Sequence, residues 1–193
     1  MKFWNNKLSG LVGGCSQLAF ALFNIILDKL TTYFHSKNIG QCGDNVTIQN
    51  GFTVRYPSNI AIFNNVSIGR NVSFSTELLT AKLSIDEKTQ INKKVDIDYT
   101  GNLLIGKNCV ISEGVIIETH DHGYDPKSAP APRELKIEDN VWIGARAVIL
   151  PKVSRVGKHS IIAAASVVTK PVEDYVIVAG NPAKIIKRLS KYQ

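Results

Sequence analysis

Residues 114–144 read GVIIETHDHGYDPKSAPAPRELKIEDNVWIG. The stretch opens on Val115-x-Ile117 and closes on Val141-x-Ile143, two apolar positions on either side of one outward residue. Between them stand two histidines, three prolines and several charges. Outward from this break, the apolar pair returns every six residues. Upstream are Leu103, Cys109 and Val115 with Ile105, Ile111 and Ile117. Downstream are Leu135, Val141 and Ala147 with Ile137, Ile143 and Ile149. Val66, Val72 and Leu78 with Ile62, Ile68 and Phe74 carry the rhythm earlier, and Ser160 and Ser166 with Ile162 and Val168 carry it later. Glycine often follows the second column, at Gly69, Gly106, Gly144 and Gly157.

A period of six is neither the helical period nor long strand alternation. Two apolar residues flank an outward one, and three more turn a corner. Such a hexapeptide repeat builds a parallel β-helix with stacked aliphatics inside. Each coil buries its apolar face on its neighbours, so none is stable alone. A sandwich of short strands would not hold a fixed six-residue spacing. The predicted fold is therefore an all-β solenoid. A helical segment covers 1–38, the coil covers 39–180 with an extruded loop at 119–134, and a short helix or tail covers 181–193.

The chain has 193 residues, 44% hydrophobic and 20% charged, which is ordinary globular composition and argues against disorder. The formal net charge of +7 suits an anionic ligand, a phosphorylated cofactor or an anionic membrane surface. No basic run interleaved with aromatics points to nucleic acid. Cys15, Cys42 and Cys109 form no CxxC pair and read as free thiols in a reducing compartment. Leu8 to Leu27 carries no charge, but its serines, glycines and Asn24 dilute its hydrophobicity. With Leu18, Leu22, Ile25 and Ile26 at helical spacing, it reads as a helix lying on the domain, on a partner subunit or flat on a membrane.

The break carries the chemistry. Ile117 to Ile137 spans twenty residues where six would suffice, so the excess must leave the coil as a loop. A long proline-bearing loop inside a compact repeat is usually functional. In register, Asp121 falls where an inward aliphatic belongs and cannot cheaply enter a dry core, so the chain exits near there. His122 falls outward, as does Trp142, an indole that needs cover from a subunit, the loop or a ligand. A neutral imidazole at a groove edge can act as general base. Other readings of His120 and His122 are a surface turn or a metal site, although a third and fourth ligand are not evident nearby. His35 and His159 are remote and read as surface or satisfied core positions.

The runs ISEGVIIETHDHGYDP, IEDNVWIGARAVILPKV, AAASVVTK and AGNPAKIIKRL together resemble the hexapeptide-repeat acyltransferases. Among these the chain is most similar to the maltose and galactoside O-acetyltransferases and the surface-polysaccharide O-acetyltransferases. The match is close from Val95 to Leu189 and rests on rhythm alone from Ile39 to Lys94. The resemblance implies a left-handed β-helix, a homotrimer with its active site between subunits, acetyl-CoA as donor, a sugar hydroxyl as acceptor and no metal. It places the catalytic histidine eight residues after Gly114, at His122, with His120 second.

Coenzyme A has an extended pantetheine arm and a phosphorylated end. Gly144, Ala145, Ala163, Ala164 and Ala165 are small enough to let backbone amides approach the arm, though tight corners also need small residues. Lys170, Lys184, Lys187 and Arg188 can neutralise phosphates. By resemblance, Ala145 supplies an N–H to the developing oxyanion, Trp142 lines the donor channel, and Thr169 belongs to the same site. Asn92, Asp96 and Asp98 lie where the family places sugar-binding groups, and Asp98, at or near a corner, can face out. The chain departs from the family at Pro151-Lys152, at Arg155, which looks inserted, and at Ala164-Ala165-Ser166, which stands for the usual AGS. The expected activity is O-acetylation in surface-polysaccharide synthesis, in the cytoplasm, with peripheral membrane contact through residues 8–27. The alternatives are N-acetylation of a nucleotide-linked amino sugar and a non-catalytic trimeric scaffold.

Overall fold

The computed structural model describes residues 2–190; for residues 2–13 and 15 it describes the backbone only. A helix, α1, covers Lys2–Asn38. Beyond it the chain winds into a parallel β-solenoid of about seven turns, consistent with a left-handed β-helix. Its strands are mostly two or three residues long and stack into three faces. The first face runs Gln41–Cys42, Ile60–Ile62, Leu83–Ile85, Leu103–Ile105, Leu135–Ile137 and Arg155–Val156. The second runs from Thr47–Ile48 through Val110–Ile111, Trp142–Ile143 and Ile161–Ile162 to Val176–Gly180. The third runs Thr53–Val54, Ser73–Ser75, Asp96–Asp98, Ile116–Ile117, Val148–Ile149 and Val167–Val168.

The six-residue columns are the core. On the third face Phe74, Ile97, Ile117, Ile149 and Val168 stack in register, each at most 2% exposed. Burying an aliphatic side chain of this kind contributes about 1.5–3 kcal/mol. Leu78, read as inward, is only partly buried and packs against the core. Gly144 shows why corners need small residues: a Cβ there would lie 2.5 Å from the Ala164 nitrogen on the next coil. The apparently inserted Arg155 is absorbed in the first face, opposite Lys136, and its guanidinium reaches Glu138 and Asp174.

The C-terminus corrects the expected short helix. Ala183–Arg188 is a strand, antiparallel to Val176–Gly180. The last coil would otherwise present an unpaired edge of N–H and C=O groups. Folding back satisfies that edge, and Ile185 and Ile186 suit the extended backbone.

The last third of α1 is fastened to the first coils. Thr32 exchanges 2.9 Å hydrogen bonds with the backbone of Ile48, and Asp28 accepts from Asn50 N–H and pairs with Arg70 at 2.9 Å. The Arg70 pairing and the Asn50 N–H hold the Asp28 carboxyl below its ordinary value against the opposing effect of its burial. Farther toward the N-terminus, Leu18, Phe20, Leu22, Phe23, Ile25 and Ile26 are all more than half exposed. Among the described residues, no helix is long and apolar enough to cross a membrane.

Candidate active site

The loop leaves the coil at one corner, where the third face turns into the first. Its root is a short antiparallel pair, His120–Asp121 against Ala131–Pro132. Asp121 therefore leaves the core, as its charge requires, while Thr119 remains fully buried at the exit. The root docks tightly because residue 101 is glycine. A Cβ there would lie 2.2–2.3 Å from backbone atoms of Arg133 and Thr119. Gly101 N–H donates to Thr119 Oγ1 at 2.9 Å.

Asp98 corrects the expectation that it faces out. It is 6% exposed, roofed by hydroxyls and amides. Thr100 Oγ1 donates to Oδ2 at 2.7 Å; Thr119 Oγ1 at 2.8 Å and Thr100 N–H at 3.1 Å donate to Oδ1. The same Oδ1 lies 2.8 Å from His120 Nδ1. A buried carboxylate needs such donors. Its geometry is that of a group that positions a histidine.

His122 is pinned differently. Its Nδ1 lies 2.7 Å from the carbonyl oxygen of Ser128, and Ser128 Oγ donates back to the His122 carbonyl at 2.7 Å. A carbonyl only accepts, so Nδ1 of His122 carries the proton, and the neutral ring presents a bare Nε2. The carboxylate beside His120 Nδ1 sets the same tautomer in the neutral ring there. The two rings meet edge to face at 5.1 Å. Each Nε2 lies 3.6 Å from one oxygen of Glu77, which follows the third-face strand Ser73–Ser75.

Charge accumulates at this corner. Burial works to lower the His120 pKa, but Asp98, Glu77 and Glu118 outweigh it, and the net shift is upward. Burial, then the charge of Asp98, raises Glu118, with His120 opposing. Tyr99, fully buried beside Asp98, donates its hydroxyl to the Arg55 carbonyl, and burial helps push its pKa up to about 12.

The small residues line the opposite edge of the third face. Gly144 and Ala145 precede the strand Val148–Ile149, and Ala163, Ala164 and Ala165 precede Val167–Val168. Ala145 O accepts from Ala165 N–H at 2.9 Å, while Ala145 N–H makes no hydrogen bond among the described residues. Ala145 shares a groove with Asn92, Lys93 and Ser112. Asn92 is exposed, and its side-chain amide donates to the Ile111 carbonyl at 3.1 Å. Trp142 is 51% exposed, with its indole N–H on Ser112 Oγ at 3.1 Å. Asp96 is exposed on the third face. Thr169 lies on the histidine side, in a cleft of about 500 Å³ with Asp121, Tyr124 and Lys152. Lys170 is exposed next to it, and Lys184 and Lys187 project from the last strand.

One chain thus brings together His120, His122 and Asp98 at one corner, and Asn92 with Ala145 at another. It does not bring the two groups together. Ala145 and Leu150 bracket a face crossed in five residues, roughly 17 Å at about 3.3 Å per residue. Sequence reasoning missed Glu77, Thr100, Gly101, Thr119 and Ser128. The register offered one signal: Ser75 aligns with Asp98, so Glu77, two residues past Ser75 on the preceding coil, falls at the same corner.

A profile of the hexapeptide repeat of succinyl-transferases matches residues 134–170. A putative acetyltransferase of Saccharomyces cerevisiae is 32% identical over 157 residues, 79% of this chain and 68% of that protein. A galactoside O-acetyltransferase of Lactococcus lactis is 33% identical over 93 residues, 46% of this chain, so this chain matches only 44% of that protein's length. A hexapeptide-repeat acetyltransferase of Vibrio cholerae, solved with acetyl-coenzyme A, superposes with a TM-score of 0.57 at 26% identity, covering 86% of this chain and 80% of that one. Repeat, fold and relatives agree: the chain belongs to the hexapeptide-repeat acetyltransferases.

Proposed function

We propose that the protein transfers an acetyl group from acetyl-CoA to a sugar hydroxyl, in the building of a surface polysaccharide, with His122 as general base. The observation that carries this reading is the histidine corner, where Nδ1 of each ring is held and Nε2 is free to take a proton. His122 is the more open of the two, its side chain 27% exposed against 12% for His120. In this reading His122 Nε2 removes the proton of the acceptor hydroxyl as that oxygen bonds to the acetyl carbon. The carbon–sulfur bond then breaks, and the imidazolium returns its proton to the departing thiolate. Ala145, with its N–H unengaged, supplies the oxyanion contact. Gly144 and Ala163–Ala165 leave room for the pantetheine arm, Trp142 lines it, and Thr169, Lys170, Lys184 and Lys187 serve its polar and phosphate groups. Asn92 and Asp96 face the acceptor. Asp98 positions His120 instead of contacting sugar.

The contact from Asp98 to His120 favours a second reading, in which His120 is the base. Thiol release from acetyl-CoA tests both with a panel of sugars, nucleotide sugars, oligosaccharide units and amines. Release with hydroxyl acceptors that His122→Ala abolishes and His120→Ala spares supports His122. The reverse pattern transfers the role. Release with amines alone overturns O-acetylation, and no release together with no thermal stabilisation by acetyl-CoA leaves a scaffold.

The separation of the two corners supports a homotrimer, in which the histidine corner of one copy faces the small-residue corner of the next and covers Trp142. Light scattering should give three chains per particle; a monomer active at the same concentration refutes it. The exposed apolar stretch of α1 supports loose contact with the cytoplasmic face of a membrane. Removing residues 1–24 keeps Asp28 and Thr32 and should abolish co-sedimentation with anionic vesicles while sparing transfer to a soluble acceptor. An intact chain that never sediments overturns the membrane contact.

A further inference from the structure

Glu77 stands far along the chain from His120 and His122 on the loop root, yet the ligand atoms of all three lie within 4.8 Å of one another. Glu77 Oε1 is 3.6 Å from Nε2 of both histidines, too long for a hydrogen bond. Bonds of about 2.0–2.2 Å to a tetrahedral ion would set the ligand atoms about 3.4 Å apart, close to this spacing. The neutral tautomers sharpen the point. Nδ1 of His120 faces the Asp98 carboxylate and Nδ1 of His122 faces the Ser128 carbonyl. Both Nε2 lone pairs therefore converge on a carboxylate oxygen. Three acceptors without a donor between them repel, unless a metal ion or an added proton sits among them. Histidines that ligate metals are held in this way, with the other ring nitrogen donating to a carboxylate or a backbone carbonyl.

We propose that Glu77, His120 and His122 bind a divalent transition-metal ion, zinc by the chemistry of the donor set, and that the bound ion shuts the enzyme off. Two imidazoles and one carboxylate suit zinc better than the hard cations, which prefer all-oxygen sites. The exposed side of Glu77 leaves a fourth position for water. Asp98 and Glu118 also approach His120. Asp98, however, is occupied by Thr100, Thr119 and His120 Nδ1, and it serves as support. A bound ion takes the Nε2 lone pair that must accept the hydroxyl proton. Only this inhibitory half rests on the acetyltransferase reading.

The binding half is read without acetyl-CoA. Untagged full-length protein, stripped with chelator, is titrated with Co²⁺ alone and followed by its visible absorption. One Co²⁺ per chain should bind and be displaced by Zn²⁺. Glu77→Gln and His120→Gln should each weaken binding at least about tenfold. His159→Ala should bind like the wild type. No Co²⁺ band, or a Glu77→Gln chain that binds as tightly as wild type, overturns the site; a proton shared by the two rings is then what resolves the convergence. With the thiol-release assay, zinc should inhibit the wild type reversibly by chelator, and Glu77→Gln should need at least about tenfold more. Binding without inhibition overturns the regulatory half alone.

Discussion

The two edges of the third face are built by opposite means. At the histidine edge, side chains crowd together: Asp98 is held by Thr100 and Thr119, and each imidazole is fixed through Nδ1. At the other edge, side chains are missing, and Gly144, Ala145, Ala164 and Ala165 leave backbone exposed to a groove. A network of hydrogen bonds fixes a reacting group, whereas a row of small residues admits a long ligand. The contrast predicts that changes to the imidazoles at the first edge act on turnover, while changes to tightly placed small residues, at either edge, act on stability.

The largest effect should come from His122→Ala. Turnover should fall by about 10²–10⁴, the scale of a lost general base. The thermal midpoint should hardly move, because His122 is part of an exposed loop and not of a core column. Steady-state thiol release beside a melting curve reads both. A full rate with His122→Ala breaks the assignment of chemistry to this residue.

Gly101→Ala should come next. Its new Cβ has no space between the Arg133 and Thr119 backbones. Overpacking of this kind costs about 1–3 kcal/mol or more. Relief requires the loop root to lift, which would pull Thr119 off Asp98 and misplace His120 and His122. Denaturant unfolding should show the loss, and proteolysis should cut the loop between Gly123 and Ala129 faster. A variant with wild-type stability and rate would show that the root is not docked as described.

How much of this was legible follows from what each signal depends on. The columns were legible because a six-residue period is local and repeats. The loop was legible because it breaks that period, and the exit of His122 from the core because the register placed it outward. Asp98 was misread because a residue just past a two- or three-residue strand can turn either way. Its direction was decided by the hydroxyls of Thr100 and Thr119, which no local pattern announces. Glu77 escaped because its partners stand on the loop root, far along the chain. The terminal stretch AKIIKR suits helix or strand alike. The open edge of Val176–Gly180 settled it, and that edge is a property of the assembled coil.

The smallest effect should be a gain, at the edge of small residues. Ala165 has φ of 56°, in the left-handed region, and stands where the family's pattern carries glycine. An L-residue with a Cβ is strained there by roughly 1–2 kcal/mol. Glycine removes that strain but adds freedom to the unfolded chain, which offsets about 0.4–1 kcal/mol. Ala165→Gly should therefore change stability by between nothing and a gain of about 1.6 kcal/mol, a rise of at most several degrees in Tm for a domain of this size. The Ala165 N–H bond to Ala145 O at 2.9 Å needs only backbone and survives the change. Turnover should stay the same, since no atom at the histidine edge moves. A drop in stability would mean that the surrounding coils already hold this corner so firmly that alanine's lower unfolded-state entropy outweighs its strain. A changed turnover with unchanged stability would show that this corner takes part in the transfer step and not only in holding the donor.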